Sequence, residues 1–251
     1  MIKILLAICL IQGIPEDVTS MAIPRPAKSE NNLKAGAFIK TRLTPYTTVT
    51  TQPFQYGTNI IGTKTGAIKN TIIVGSHYDS VADSPGADDN ASGCVLNLLL
   101  AKRLTQKPMK HTLQFVFFDA EEEGLLGSKA YAKKLTDKCD FMVNLDMVGH
   151  LKLTKQDTLD DTFQKYPWAK GIVFKNGSDS DHASFRRLGI PVIWVFTDVH
   201  SKYHTPRDIP DTLNYEGMIK ICEFLETFIL KFDKEVDQKF IDSLPTLTES
   251  H

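Results

Sequence analysis

The chain of 251 residues has only four cysteines, Cys9, Cys94, Cys139 and Cys222, and no two stand at a CxxC spacing. That spacing excludes a cysteine-built zinc site and gives no disulfide framework, so buried thiols are expected. Charge of one sign is also missing. The formal net charge is −1 at pH 7, which leaves no electrostatic footprint for nucleic acid or an anionic membrane. Local basic pairs such as Lys133-Lys134 read as a solvated helix face. There is no internal repeat, no low-complexity tract and no Pro/Gly/Ser-rich linker. A single domain follows, long enough to bury about three quarters of its unfolded surface in one core.

No apolar run near the amino terminus is long enough to span a bilayer. The stretch Ile4 to Ile14 covers 11 residues, where a spanning helix needs about 20, so no stable membrane anchor is expected. Lys3 precedes this stretch and the small residues Val18 and Ser20 follow it. That order has the pattern of a secretory signal cleaved near Ser20, which predicts a secreted or periplasmic protein. The expected organisation is a signal over 1–20, one folded domain over 21–235 and a polar tail over 236–251. The competing reading makes the first residues a helix of the domain itself, since Gln12 and Gly13 interrupt the apolar run.

What the chain does have is alternation. Thr71 to Val74, Leu113 to Phe118, Phe141 to Leu145 and Pro191 to Phe196 are mostly continuous apolar stretches, which suit strands covered on both faces. Helical patterns lie between or after them at Cys94 to Lys107, Gly127 to Leu135 and Asp181 to Leu188. The alternation predicts a single-domain α/β/α sandwich with a mostly parallel central sheet. In such sheets a site forms beyond the carboxyl ends of the strands.

Five metal-ligand candidates fall near the ends of these runs: His77 in GSHYDS, Asp89 in PGADDNASG, Glu122 in DAEEEGLLGS, Asp146 in NLDMVG and His204 in YHTPRD. Two imidazoles and three carboxylates suffice for two divalent cations and point to metal-assisted hydrolysis. Asp79 stands two residues after His77; in extended chain both side chains point the same way, so Asp79 can orient the imidazole. Asp88 or Asp89 can cap the helix that starts near Ser92 while the other acid faces metal. The three adjacent acids Glu121, Glu122 and Glu123 read equally as a solvated helix start. Asp146 interrupts an apolar run, where a buried carboxylate needs a cation or strong donors. His200 and His204 are equally available imidazoles as far as spacing goes.

The ordered set GSHYDS, PGADDNASG, DAEEEGLLGS, NLDMVG, SDHASFRRLGIP and YHTPRDIPDTL, spread from about Asn59 to Glu226, resembles the M28 family of zinc-dependent exopeptidases, which includes leucyl-type aminopeptidases. Position by position, the resemblance implies that Asp89 bridges two zinc ions. His77 and Asp146 then complete one metal site, and Glu122 and His204 the other. It assigns Glu121 as general base toward a metal-bridged water, Asp79 as the residue orienting His77, and Asp181 and His182 to supporting positions. Two Zn²⁺ contribute +4 against −3 from Asp89, Glu122 and Asp146, leaving +1, which lowers the pKa of a shared water from about 15.7 toward 7.

The activity so implied is removal of single residues from peptides with a free N-terminus, by a monomer. Trp194, Phe196, Tyr203 and the stretch 151–170 are candidates for an apolar substrate pocket, with core packing as the competing reading for Trp194 and Phe196. Three variants remain open: a glutaminyl cyclase-like acyltransferase, a carboxypeptidase anchored through Arg186, Arg187 or Arg207, and a non-catalytic binding module.

Overall fold

A computed structural model describes residues 13–151, 179–197 and 199–234. Each apolar run becomes a strand because its two sets of alternate side chains are buried on opposite faces. In β3 (Ile68–His77), Ile72 and Val74 enter the main core while Ile73 enters a second one. In β4 (His111–Phe118), Leu113, Phe115 and Phe117 face the main core, and Val116 and Phe118 the other. In β5 (Cys139–Leu145), Phe141, Val143 and Leu145 oppose Met142. Burying each such side chain is worth about 1.5–3 kcal/mol, and only a sheet sandwiched between helical layers uses both sets.

The sheet has six strands in the order β1-β2-β4-β3-β5-β6. β3 pairs in parallel with β4 and β5, and β5 in parallel with β6 (Val192–Val195). On the β4 side the sheet is extended by β1 (Thr48–Phe54) and β2 (Gly57–Lys64), both antiparallel to their neighbours. These two strands were not expected from the apolar runs. The main face is covered by α1 (Ile14–Met21), α2 (Glu30–Leu43), α3 (Gly93–Leu104) and α6 (Tyr215–Lys234). On the other face lie α4 (Leu126–Lys133) and the short α5 (His182–Arg186). Lys133 and Lys134 are exposed, and Cys94, Cys139 and Cys222 are free and buried.

The amino-terminal boundary expected at residues 20/21 falls inside a packed helix. Ile14, Val18 and Met21 follow helical spacing and line the core side of α1, with Val18 and Met21 fully buried. A cut after Ser20 would strip Ile14 and Val18 from the main core. Residues 1–12, most of the stretch 151–170 and the tail 236–251 lie outside the described residues. No helix among the described residues is long and apolar enough to cross a membrane.

Candidate metal centre

The parallel strands β3, β4 and β5 run in one direction, so their carboxyl ends open on one edge of the sheet. β3 ends on His77 itself, Glu121 and Glu122 follow β4 after a left-handed turn at Ala120, and Asp146 follows β5 directly. Asp89 arrives on the irregular turn Ala87–Ser92 ahead of α3. Asp89 and Asp146 each precede a cis peptide bond, to Asn90 and Met147.

The five candidates converge as two overlapping triads. His77 Nε2 lies 3.1 Å from Asp89 Oδ1 and 3.5 Å from Asp146 Oδ1. His204 Nε2 lies 2.9 Å from Asp89 Oδ2 and 3.2 Å from Glu122 Oε2. Asp89 thus gives one oxygen to each imidazole, and each triad offers its ligand atoms within 4.8 Å of one another. Tetrahedral zinc with ligands at about 2.0–2.1 Å has ligand-to-ligand edges of roughly 3.3 Å, so the donor set fits zinc. Glu122 Oε1 is buried without a hydrogen-bond partner, as expected of an atom kept for a cation.

Crowding and burial set the protonation of the acids. Burial pushes Glu121 well above the ordinary carboxyl range, and Glu122 up to about 7. Burial likewise raises Asp146 and takes Asp181 to about 7. Asp89 goes the other way. Burial alone would raise it, but hydrogen bonds from His204 and His77 outweigh that and hold it below the usual range. A cation would relieve this cluster of acids.

The supporting contacts are firmer than spacing predicts. Asp79 Oδ1 stands 3.4 Å from His77 Nδ1 without hydrogen-bond geometry, yet the same carboxylate accepts the backbone N–H groups of Glu121 at 3.1 Å and Glu122 at 3.2 Å. Asp208 does the same for the other loop, accepting from Asp88 N at 2.9 Å and Asp89 N at 3.1 Å. Asp208 lies only four residues beyond His204, so one short stretch of chain carries that imidazole and also holds the backbone of Asp89. Ser180 Oγ donates to Asp146 Oδ2, and Trp194 Nε1 donates to Asp146 O at 2.6 Å. Asp181 is buried beside this group, and His182 stacks on Trp194 at 4.7 Å between ring centroids. Asn90, rather than Asp88, meets the start of α3, its Oδ1 accepting from Gly93 N at 3.0 Å.

The structure separates the two loop histidines. His200 Nε2 faces Asp88 Oδ2 at 3.2 Å, while its Nδ1 accepts from Lys202 N at 3.2 Å. His200 therefore points its Nε2 at Asp88, in a separate group with His150, and stands in neither of the two triads that share Asp89. Asp88 Oδ1 in turn accepts from Gly149 N at 2.7 Å and Ser92 Oγ at 3.0 Å, which joins the Asp89 and Asp146 segments.

A cavity of about 630 Å³ opens onto the triads and is lined by His77, Asp89, Glu121, Glu122 and Asp146 on one side. Met147, Trp194 and Phe196, which form a small apolar cluster of their own, make up another part of its wall. Trp194 and Phe196 are therefore buried and pocket-lining at once. Tyr203 also lines the cavity, its ring stacked on His204 at 3.7 Å.

Residues 59–229 match the model of Peptidase family M28. The chain belongs to that family. A probable leucine aminopeptidase of Arthroderma benhamiae is 32% identical over 207 residues, spanning 68% of this chain and 55% of that protein. The aminopeptidase from Aneurinibacillus sp. strain AM-1 superposes with a TM-score of 0.60 at 31% identity, covering 70% of this chain and 48% of the other. The Porphyromonas gingivalis glutaminyl cyclase, at 20% identity and TM-score 0.72 over 90% of this chain and 98% of its own, shares the fold. The chain thus spans about half the length of the curated M28 relatives that it matches.

Proposed function

We propose that this M28 chain is a zinc aminopeptidase with two zinc ions, one held by His77, Asp89 and Asp146 and the other by Asp89, Glu122 and His204. One observation carries the reading: the two carboxylate oxygens of Asp89 face two different imidazoles, 3.1 and 2.9 Å away. Its relatives in Arthroderma and Aneurinibacillus are named aminopeptidases, which supports the same substrate class. Zinc bound there supplies Lewis acidity, polarising a scissile carbonyl and lowering the pKa of water.

The chain's own residues do the rest. Glu121 lines the cavity beside the ligands and takes a proton from the attacking water, then returns it to the leaving amine. Asp79 fixes the backbone at Glu121, and so the direction from which that carboxylate approaches. Met147, Trp194 and Phe196 receive an apolar side chain. Among the described residues no arginine lines the cavity, so none of Arg186, Arg187 and Arg207 stands where a carboxypeptidase would anchor its substrate's carboxylate. The enzyme works as a monomer outside the cytoplasm, exported by its apolar amino-terminal segment; the burial of Ile14, Val18 and Met21 supports a leader cut at or before Gly13 rather than after Ser20.

Zinc content and substrate polarity test the proposal together. About two zinc per chain should accompany full activity, and fewer than about 1.5 at saturation counts against a dinuclear centre. Leu-p-nitroanilide should turn over. Leu-Gly-Gly should lose leucine first and acetyl-Leu-Gly-Gly should not react, whereas initial release of the carboxy-terminal glycine would mark a carboxypeptidase. Cyclisation of amino-terminal glutamine without hydrolysis of leucyl substrates would mark a glutaminyl cyclase.

A further inference from the structure

Arg25 is fully buried, and none of its hydrogen bonds goes to a carboxylate. Its Nε donates to Tyr78 O at 2.7 Å, its Nη2 to Gly86 O at 3.0 Å, and its Nη1 to Pro85 O at 2.6 Å. Nη1 also reaches Met21 O at 3.0 Å and Ile23 O at 3.3 Å. The backbone of Arg25 is tied too, its N–H donating to Ser80 Oγ at 3.0 Å and its carbonyl accepting from Ser80 N at 3.3 Å. A buried cation is costly unless every donor is satisfied and negative charge is near. Here its donors meet carbonyl groups from three separate stretches of chain, and the carboxylates of Asp79, Asp89 and Asp208 act on it through space.

Two of those three stretches adjoin the candidate ligands. Tyr78 sits between His77 and Asp79, and Gly86 opens the turn that presents Asp89. Gly86 adopts a left-handed φ of 61°, and a Cβ there would stand 2.2 Å from Asp89 O and 3.1 Å from Arg25 Nη1. The guanidinium, the turn and the bridging acid's backbone are therefore packed with no room to drift. The third stretch, Met21 to Ile23, lies outside the matched M28 segment of residues 59–229.

We propose that Arg25 is a positioning residue for the metal ligands. Its planar fork fastens the loop after β3 to the turn before α3, and so sets the distance between His77 and Asp89. The inference rests on the zinc reading above. It makes the segment ahead of the matched residues part of the catalytic centre. A lysine keeps the charge but not the fork, so Arg25→Lys should not restore the geometry.

Zinc affinity, measured by competition with a chromophoric chelator on protein shown by circular dichroism to be folded, is the deciding readout. Arg25→Lys and Arg25→Met should each weaken zinc binding about 10–100-fold, the loss typical of removing an outer support of a metal ligand. Val18→Ala, which loosens the nearby core without touching these carbonyls, should lower Tm and leave zinc affinity at the wild-type value. If Arg25→Met fails to fold, Arg25→Lys decides alone. Wild-type affinity in a folded Arg25→Lys protein overturns the clamp. Equal weakening in Val18→Ala overturns it too, since the effect is then general destabilisation. A wild-type protein that takes up no zinc overturns the underlying reading and this inference together, a pattern distinct from failure of the variants alone.

Discussion

Asp79 Oδ1 accepts the backbone N–H of Glu121 at 3.1 Å, so the residue facing the ring of His77 also fixes the backbone of the general-base candidate. Substitution tests both functions together. Asp79→Ala removes the carboxylate that faces His77 and releases the Glu121-Glu122 segment, and both zinc affinity and kcat should fall by about 10–100-fold. Asp79→Asn keeps one acceptor oxygen and should fall in between. Titration of each variant with zinc, followed by kcat at saturating metal, checks this; wild-type values for Asp79→Ala count against any orienting role.

Glu121 and Glu122 are neighbours with different expected phenotypes. Glu121→Gln removes the proton acceptor and leaves the triads whole, so kcat should drop by about 10²–10⁴ with KM little changed. Zinc content should stay at the wild-type level. Glu122→Gln takes the charge from a carboxylate that lies 3.2 Å from His204 Nε2 and should lose metal as well as activity. A Glu121→Gln enzyme keeping more than about a tenth of kcat takes Glu121 out of the base role.

The strands and the convergence of the candidate ligands were legible in the sequence for one reason: burial on both faces turns a strand into an unbroken apolar run, and the acids and histidines stand where those runs stop. β1 and β2 escaped because TVTTQPF and GTNIIGTK are largely polar and partly exposed. Asp208 and Arg25 escaped for a different reason. Their work is done through backbone groups of remote residues, which leaves no periodicity in side-chain type. The α1 helix was hidden by its neighbour, since an apolar leader-like run merges with an amphipathic helix. Ile14, Val18 and Met21, at i, i+4 and i+7, were the available signal. Spacing could not choose between His200 and His204; tertiary contacts with Asp88 and Asp89 do.

Zinc uptake should depend on pH in a direction set by the protons on the two imidazoles. Burial opposes charge on His77, but Asp146 and Glu121 outweigh it and raise its pKa well above the ordinary value. A hydrogen bond to Asp89 raises His204. Both rings therefore hold protons that zinc must displace. Affinity rises as pH climbs through these raised values and falls below them, with protons released on binding. Calorimetric titration in buffers of different ionisation enthalpy should show that release. Equal affinity at about pH 6 and about pH 8 contradicts the assignment of these imidazoles as ligands.

A second buried charge cluster lies at the opposite end of the sheet and should govern stability without touching catalysis. His111 Nδ1 is 2.8 Å from Asp233 Oδ1 and its Nε2 is 3.0 Å from Asp140 Oδ2, tying the end of α6 to the starts of β4 and β5. Removing the ring by His111→Ala takes one partner from each of two buried carboxylates that keep other donors, and should cost about 1–3 kcal/mol. Burial alone would raise Asp233, but the backbone N–H groups of His111 and Lys110, joined by the His111 ring, hold its carboxyl below the ordinary value. Its contribution to stability is then complete above the unfolded pKa of about 3.9 and is lost as pH falls through the lower folded value. Acid titration of Tm should be flatter in Asp233→Asn than in the wild type, with kcat unchanged in both variants well below Tm.

The last prediction concerns where the folded unit begins. Met21 is fully buried at the carboxyl end of α1, and its carbonyl accepts from Arg25 Nη1. Val18 and Ile14 stack behind it against the main core. Met21→Ala should destabilise the protein by about 2–5 kcal/mol through the cavity it leaves. Deleting residues 1–20 removes two of the three anchors and should cost more, giving an aggregating or unfolded product. Deleting residues 1–12 leaves all three in place and should preserve the melting transition. Paired melting curves of the two truncations decide the matter: a shorter chain beginning at Met21 that folds and melts like the longer one shows that α1 is dispensable and restores Ser20 as a workable processing point. If instead only the chain retaining Gly13 onward folds, the mature amino terminus recovered from the native host should map to residue 13 or earlier.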